Sequence, residues 1–188
     1  MLAPDREGQL EAATTTWDFA KDALISRKPF NATMKESRLQ GDGFRIDMGQ
    51  TTVTVLSACQ MKQPGETLKA NQCSWDWTSN RVSARGNVVV RQGETVLQAD
   101  VVSASYRETD GKRTITRVDA VGNVRIAAGK EKISGGNATY VIDQQLFLLT
   151  GKSLRIVSTE QTVTAESTLE YWGLEKRAVA RGNASAIR

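Results

Sequence analysis

Histidine is absent from the 188-residue sequence, and that one gap removes Ser-His-Asp and Cys-His nucleophilic systems together with most zinc sites. Catalysis would have to rest on carboxylates, lysine or tyrosine. Asp47, Asp76, Asp100, Asp119 and Asp143 sit mostly near expected strand ends or turns, without the paired, pocketed arrangement that general acid and base work needs. They read as solvated strand and turn residues; a carboxylate-dependent enzyme would require two of them converging in one cleft. Long apolar runs are missing too: no window approaches the roughly 18 consecutive apolar residues of a transmembrane helix. Nor is there a signal-peptide pattern, since Met1 is followed at once by LAPDREGQ, which reads as a start placed on a trimmed mature chain.

Clustered charge of one sign is also lacking. The net charge is +4 and the pI near 9.2, with Lys and Arg dispersed along the chain. Without a basic footprint and stacking aromatics, nucleic-acid binding is not expected. The turns GNV at 86 and 122 and GNA at 182 have neither a G-x-x-x-x-G-K-[ST] pattern nor a following helix, so they are not phosphate loops. Their expected work is positive φ, or a bulge where a strand bends between layers. Asn31, Asn137 and Asn183 head glycosylation sequons; two of the three follow from the repeat described below, and no meaning is assigned to them. No cofactor and no metal are expected.

Cys59 and Cys73 are the only cysteines, too few to prescribe a metal cage. One reading is a pair of reduced core thiols. The other depends on the turn between them. If MKQPGETLK makes a hairpin centred near Glu66, positions 59 and 73 face each other across two antiparallel strands, and a cross-strand disulfide would fit an oxidising compartment.

What is present is an ordinary folding composition, 39% hydrophobic and 24% charged, and a length that buries a substantial core. The informative feature is repetition. A large apolar residue is followed eleven positions later by a turn signal at Trp75 to Gly86, Tyr140 to Gly151, Tyr171 to Gly182 and Ile46 to Ser57. Tyr106 to Gly122 is sixteen, and the five extra residues coincide with the Asp110-Gly111 turn signal. A small residue, Gly41, Ala70, Ala99, Gly135 or Ala165, precedes each anchor. KQPGETLKA and RQGETVLQA are nearly the same phrase. About five units therefore run from residue 38 to 188, with turns at 57, 86, 122, 151 and 182.

Inside each unit the hydrophobic period is two, as in TVTVL, RVSARGNVVV, RVDAVGNVRI and QTVTAESTLEY, which is the mark of half-buried antiparallel strands. The expected fold is an all-β antiparallel jelly roll or slab of about five two-strand repeats. Residues 1–37 lie outside the repeat and read as an N-terminal arm, residues 38–188 as the β domain. Within the arm, TTTWDFAKDALISR carries a threonine run and Trp17, Ala20 and Leu24 at helical spacing, so a short helix ending before Pro29 is expected.

By parity the inward side chains are Val82, Val88, Val90, Leu97, Val118, Val124, Ile126, Ile133, Leu154, Ile156, Val163 and Leu169. Closed core packing is the plain reading. Yet the core is aromatic-poor, and the last unit places Ala178, Ala180, Gly182, Ala184 and Ala186 along one face. Small residues at one end leave two sheets poorly filled unless something else enters, and an apolar ligand is one such filler.

LKANQCSWDWTSNRVSARGNVVVRQGETVLQADVVSASY, with AVGNVRI and ISGGNATYVIDQQLFLLTG, resembles the OstA-like domains of the LptA family of periplasmic lipopolysaccharide transport proteins, to which LptC and the N-terminal domain of LptD are related. The similarity covers about residues 66 to 188, and its motif is A-x-x-x-x-[YW] followed by G-N-V in register. The resemblance implies a β-jelly roll open along one side, with an apolar trough for the acyl chains of lipid A. It further implies a periplasmic location, head-to-tail self-association through edge strands, and contacts with membrane-anchored LptC-like and outer-membrane LptD-like proteins. A non-enzymatic lipopolysaccharide carrier is thus the leading expectation. The alternatives are a closed structural or adaptor β-domain that binds protein through its edges, or another component of the same system.

Overall fold

The computed structural model describes residues 8–34, 36–109, 112–172, 174–175 and 177–187. Among these there are seventeen β-strands, antiparallel in every pairing, and no helix. The chain divides into two units, Met1–Gly93 and Glu94–Arg188.

In the first unit β3 (Ala23–Met34), β4 (Ser37–Asp47) and β5 (Thr52–Gln63) pair in succession. β1 (Gly8–Ala12) and β2 (Thr16–Asp18) pair with opposite halves of β3. β6 (Glu66–Ala70) and β7 (Gln72–Asp76) divide the far side of β5 in the same way, and β8 (Arg81–Gln92) pairs with both. The long strands bend midway, so one half of each belongs to a front layer, with β2 and β7, and the other to a back layer, with β1 and β6.

The second unit repeats the scheme. β9 (Thr95–Thr109), β10 (Lys112–Ala128) and β11 (Glu131–Val141) are the long bent strands. The far side of β11 is shared by β12 (Leu146–Thr150) in front and β13 (Leu154–Val157) behind. The front layer then continues through β15 (Thr168–Trp172) and β16 (Arg177–Arg181), the back layer through β14 (Thr162–Ala165) and β17 (Ser185–Ile187). This is the β-jelly-roll organisation expected from the alternation.

The bends fall where the repeat puts its turns. Ala58, the pairs Gly86–Asn87, Gly122–Asn123 and Gly182–Asn183, and Gly151 with Ser153 all have positive φ. A residue in that region re-aims the strand and interrupts its ladder, and Gly and Asn take it at least cost. The small residues of the repeat sit beside these corners for steric reasons. A Cβ on Gly41 would collide with Val55 of the opposite layer, and one on Gly135 would lie 2.8 Å from Leu149 Cδ1 and 2.9 Å from Leu154 Cδ2. Only small side chains let the layers close at the corner.

Cross-strand registers carry one closed row through each front layer. In the first unit it runs Ser26, Phe44, Val55, Cys73, Ala84, every member buried. Phe30 of the back layer meets Phe44 edge-on with ring centroids 5.1 Å apart, so the layers pack directly against one another there. In the second unit the row is Val102, Ala120, Ala138, Leu149 and Leu169, all buried, ending on the half-buried Ala180 at the edge.

Two expectations are corrected. The segment expected to be helical is a hairpin: Trp17 pairs with Leu24 between β2 and β3, and Asp22 makes the turn at φ 43°. The Asp18 carboxylate accepts the Lys21 N–H at 3.3 Å, an Asx-type closure that competes with helix formation. β3 then pairs with β4 along its length, so the burial of Ala23 and Ser26 and the half-burial of Leu24 and Ile25 on the strand outweigh a weak helical spacing. The strand ladder consequently begins upstream of residue 38, within the segment expected as an arm. The second correction concerns register. The hairpin pairs Gln63 with Glu66 and places Ala70, not Cys73, opposite Cys59, while Cys73 pairs with Val55. Cys59 and Cys73 are nonetheless joined by a disulfide with a Cα separation of 6.0 Å. It ties the back layer to the front across the corner.

Candidate functional site

Beyond the closed rows, the next positions on the same faces, two residues further along each strand, are wetter. On the back layer of the second unit Leu97, Ile126, Ile133, Ile156 and Val163 are cross-strand partners in one unbroken row, which ends on Ala186. All five aliphatic members are half-buried. On the front layer the corresponding row is Ala104, Val118, Tyr140, Phe147, Tyr171 and Ala178, in which Tyr140 is 39% and Tyr171 45% exposed.

The first unit is built alike. Its back row is Leu10, Ala32, Leu39, Met61, Leu68 and Val90, and its front row Trp17, Leu24, Ile46, Val53, Trp75 and Val82. Each unit therefore presents two apolar walls that are sealed at the corner and incompletely covered towards the strand ends. Side chains one residue out of phase are polar: Thr33, Arg38, Lys62, Thr67 and Arg91 share a row on the other face of the back layer. Alternation thus separates a greasy inside from a wet outside.

The twelve sequence-predicted positions divide by depth. Val88, Val124, Leu154 and Leu169 belong to the sealed corner rows, at 1%, 1%, 1% and 5% exposure. Val82, Val90, Leu97, Val118, Ile126, Ile133, Ile156 and Val163 are half-buried on the open parts of the walls. Sequence reasoning missed the walls of the first unit upstream of Val82, because inward parity was assigned only from that residue on, and the aromatic row of the second. The signal was available in the latter case. Tyr140 and Tyr171 are the anchors of the repeat itself and lie two residues from buried Ala138 and Leu169, hence on the same face.

The aspartates are used one at a time. Asp47 accepts from the Arg45 guanidinium at 2.9 Å and from the Gln50 N–H at 3.1 Å, and the arginine hydrogen bond holds its carboxyl below the usual range. Asp76 is lowered by its hydrogen bonds to Ser79 and accepts also from the Thr78 N–H at 2.9 Å. Both pin the turns at the front strand ends, where successive turns are joined: Met48 donates its N–H to the Asp22 carbonyl at 3.0 Å and Trp77 donates to that of Thr51 at 3.2 Å. Asp100 accepts from Asn123 Nδ2 at 2.8 Å beside the Gly122 corner. Asp119 pairs with Arg117 at 2.7 Å and takes the Thr139 hydroxyl at 2.7 Å, while Asp143 pairs with Arg107 at 3.2 Å. Each carboxylate is thereby occupied in a turn, a corner or a surface pair.

A hollow of about 640 Å³ lies at the N-terminal edge, lined by Trp17, Phe19, Ile25, Ser26, Arg27 and Lys28 among others. It opens beside β2, which together with β1 forms the outer edge of its unit among the described residues; β16 and β17 form the corresponding edge of the second unit.

Comparison with known structures gives the periplasmic LptA-homologous component of the lipopolysaccharide transport device of Pseudomonas aeruginosa, LptH. The two superpose with a TM-score of 0.53 at 20% identity, over 65% of this chain and 94% of that one, which is a likeness of fold. A comparison with curated proteins gives no match. A family model described as LptA/(LptD N-terminal domain) LPS transport protein matches residues 67–172, the segment from β6 to β15 in which the corners, closed rows and open walls recur. Since that match spans more than half of the sequence, the chain belongs to the LptA/LptD N-terminal domain family of lipopolysaccharide transport proteins.

Proposed function

We propose that this protein is a non-enzymatic periplasmic carrier that accepts the acyl chains of lipopolysaccharide between the layers of its jelly roll and helps pass the molecule from the inner to the outer membrane. The observation that carries the reading is the unbroken row Leu97, Ile126, Ile133, Ile156, Val163, half-exposed and one step outside a sealed core. A monomeric domain without an apolar guest has no reason to leave such a row wet, whereas alkyl chains of lipid A would complete its burial at about 25 cal/mol per Å² covered. The reading extends to partners. The free edges at β1 and β2 and at β16 and β17 can accept strands, from a second copy or from membrane-anchored and outer-membrane components of the same transport system.

Photo-crosslinking residues at Ile126 and Ile156, with outward controls at the exposed Arg125 and Arg155, test the trough on purified protein mixed with lipopolysaccharide. Adducts at the first pair alone are expected, and a probe at the sealed Leu154 should stay silent. Equal adducts on both faces, or none in folded protein, would point instead to a closed adaptor domain.

A further inference from the structure

The two walls differ in chemistry, and the difference runs through the whole chain. Every tryptophan and every tyrosine, Trp17, Trp75, Trp77, Tyr106, Tyr140, Tyr171 and Trp172, belongs to a front-layer strand or to the turn at its end. The back-layer walls hold Leu, Ile, Val, Met and Ala on their open rows. Alkyl chains alone do not require this division, because they gain equally from a leucine and from a ring of the same area. Amphipathic rings are favoured where an apolar surface meets a wet one, with the ring on one side and the N–H or O–H on the other.

Tyr140 and Tyr171 have that position. They flank Phe147 in the inward row nearest the front ends of β11, β12 and β15, at 39% and 45% exposure. Neither hydroxyl has a hydrogen-bond partner among the described residues. Leu149 and Leu169, one step deeper on the same strands, are 0% and 5% exposed. The row thus consists of flat faces over a closed core with unused polar groups at its margin. A sugar ring presents what fits it: a C–H face to lie on an aromatic ring, and hydroxyl or amide groups to meet a phenol.

We propose that the front wall of the second unit is the headgroup wall. In this assignment Tyr140, Phe147 and Tyr171 hold the saccharide of a glycolipid, with the Tyr140 and Tyr171 hydroxyls setting specificity, while Ile126, Ile133 and Ile156 of the back layer take its acyl chains. The proposal rests on the carrier reading above and adds the orientation of the lipid to it.

Binding of two probes to the full chain separates the two. One is a fluorescent long-chain fatty acid without sugar; the other is purified lipid A, a phosphorylated disaccharide bearing acyl chains. The Tyr140→Leu/Tyr171→Leu variant should bind the fatty acid within about twofold of the unmodified protein and lipid A about tenfold more weakly, as expected for two lost polar contacts. Ile133→Ala/Ile156→Ala should weaken both. Tyr140→Phe/Tyr171→Phe retains the rings, so it decides the matter if the leucine variant does not fold, and a loss of several-fold confined to lipid A is expected. Unchanged lipid A affinity in the tyrosine variants, or equal loss of both probes, overturns the headgroup assignment while leaving a lipid carrier standing. Failure of the unmodified protein to bind either probe overturns the carrier reading and the assignment together.

Discussion

Gly122 shows at one residue why the corners are written as Gly-Asn. Its φ is +78°, and a Cβ there would collide with the Asp100 carboxylate, whose Oδ2 accepts from Asn123 Nδ2 at 2.8 Å. Gly122→Ala therefore meets two separate costs, the left-handed backbone and the displaced aspartate. A loss of about 1–3 kcal/mol is expected, read as a lowered melting temperature. Adding Asp100→Ala should recover the steric part and leave the backbone part, so a double-mutant cycle with no coupling between the two positions would show that the carboxylate does not set the corner. The glycine and its asparagine were legible in the sequence as a turn. The aspartate that faces them, 22 residues earlier, was not, because that proximity comes from β9 pairing with β10.

Among elements, the bent β5 and its divided neighbours β6 and β7 carry the main covalent constraint. The disulfide closes a separation of 14 residues between two side chains that are 0% and 1% exposed. Cross-links over loops of this size contribute about 3 kcal/mol, chiefly by restricting the unfolded chain. Cys59→Ala/Cys73→Ala should accordingly lower unfolding stability by about 2–4 kcal/mol in denaturant titrations, and thiol labelling of the native protein under mild reductant should be slow, since the bond must first be uncovered. Identical melts for oxidised and reduced protein would refute this. The presence of two cysteines at hairpin spacing was readable beforehand. Their actual placement was not, since the hairpin closes Gln63 on Glu66 and so sets Ala70 opposite Cys59, while the corner between Ala70 and Gln72 carries Cys73 into the front layer and makes the bond a tie between layers. The β2 to β3 hairpin teaches the same lesson: Trp17, Ala20 and Leu24 have helical spacing, but the partner strand β4 decides the conformation.

For the whole molecule, the consequence of the proposed bridging role is self-association through edges. β16 pairs only with β15, and β1 and β2 only with β3, among the described residues. Sedimentation velocity should show a mass that rises with concentration. Along an edge strand alternate N–H groups point outwards, so one of Ala178→Pro and Val179→Pro removes an outward donor, and at least one of the two should abolish the rise while the fold persists by circular dichroism. A constant monomer mass in the unmodified protein would rule the mechanism out.

What the sequence determined by itself is local. A period of two makes strands with one greasy face, and Gly-Asn at regular intervals makes them bend, because backbone sterics and side-chain alternation act within a few residues. The depth of each inward residue was decided only by the tertiary structure. Leu97 and Val163 stand 66 positions apart yet share one row through Ile126, Ile133 and Ile156, whereas Leu154, of the same parity as Ile156, is sealed at 1% exposure. Hydrogen-bond register between distant strands sets the first fact, and the closeness of the two layers at their corner sets the second; neither is encoded in any single stretch of the chain.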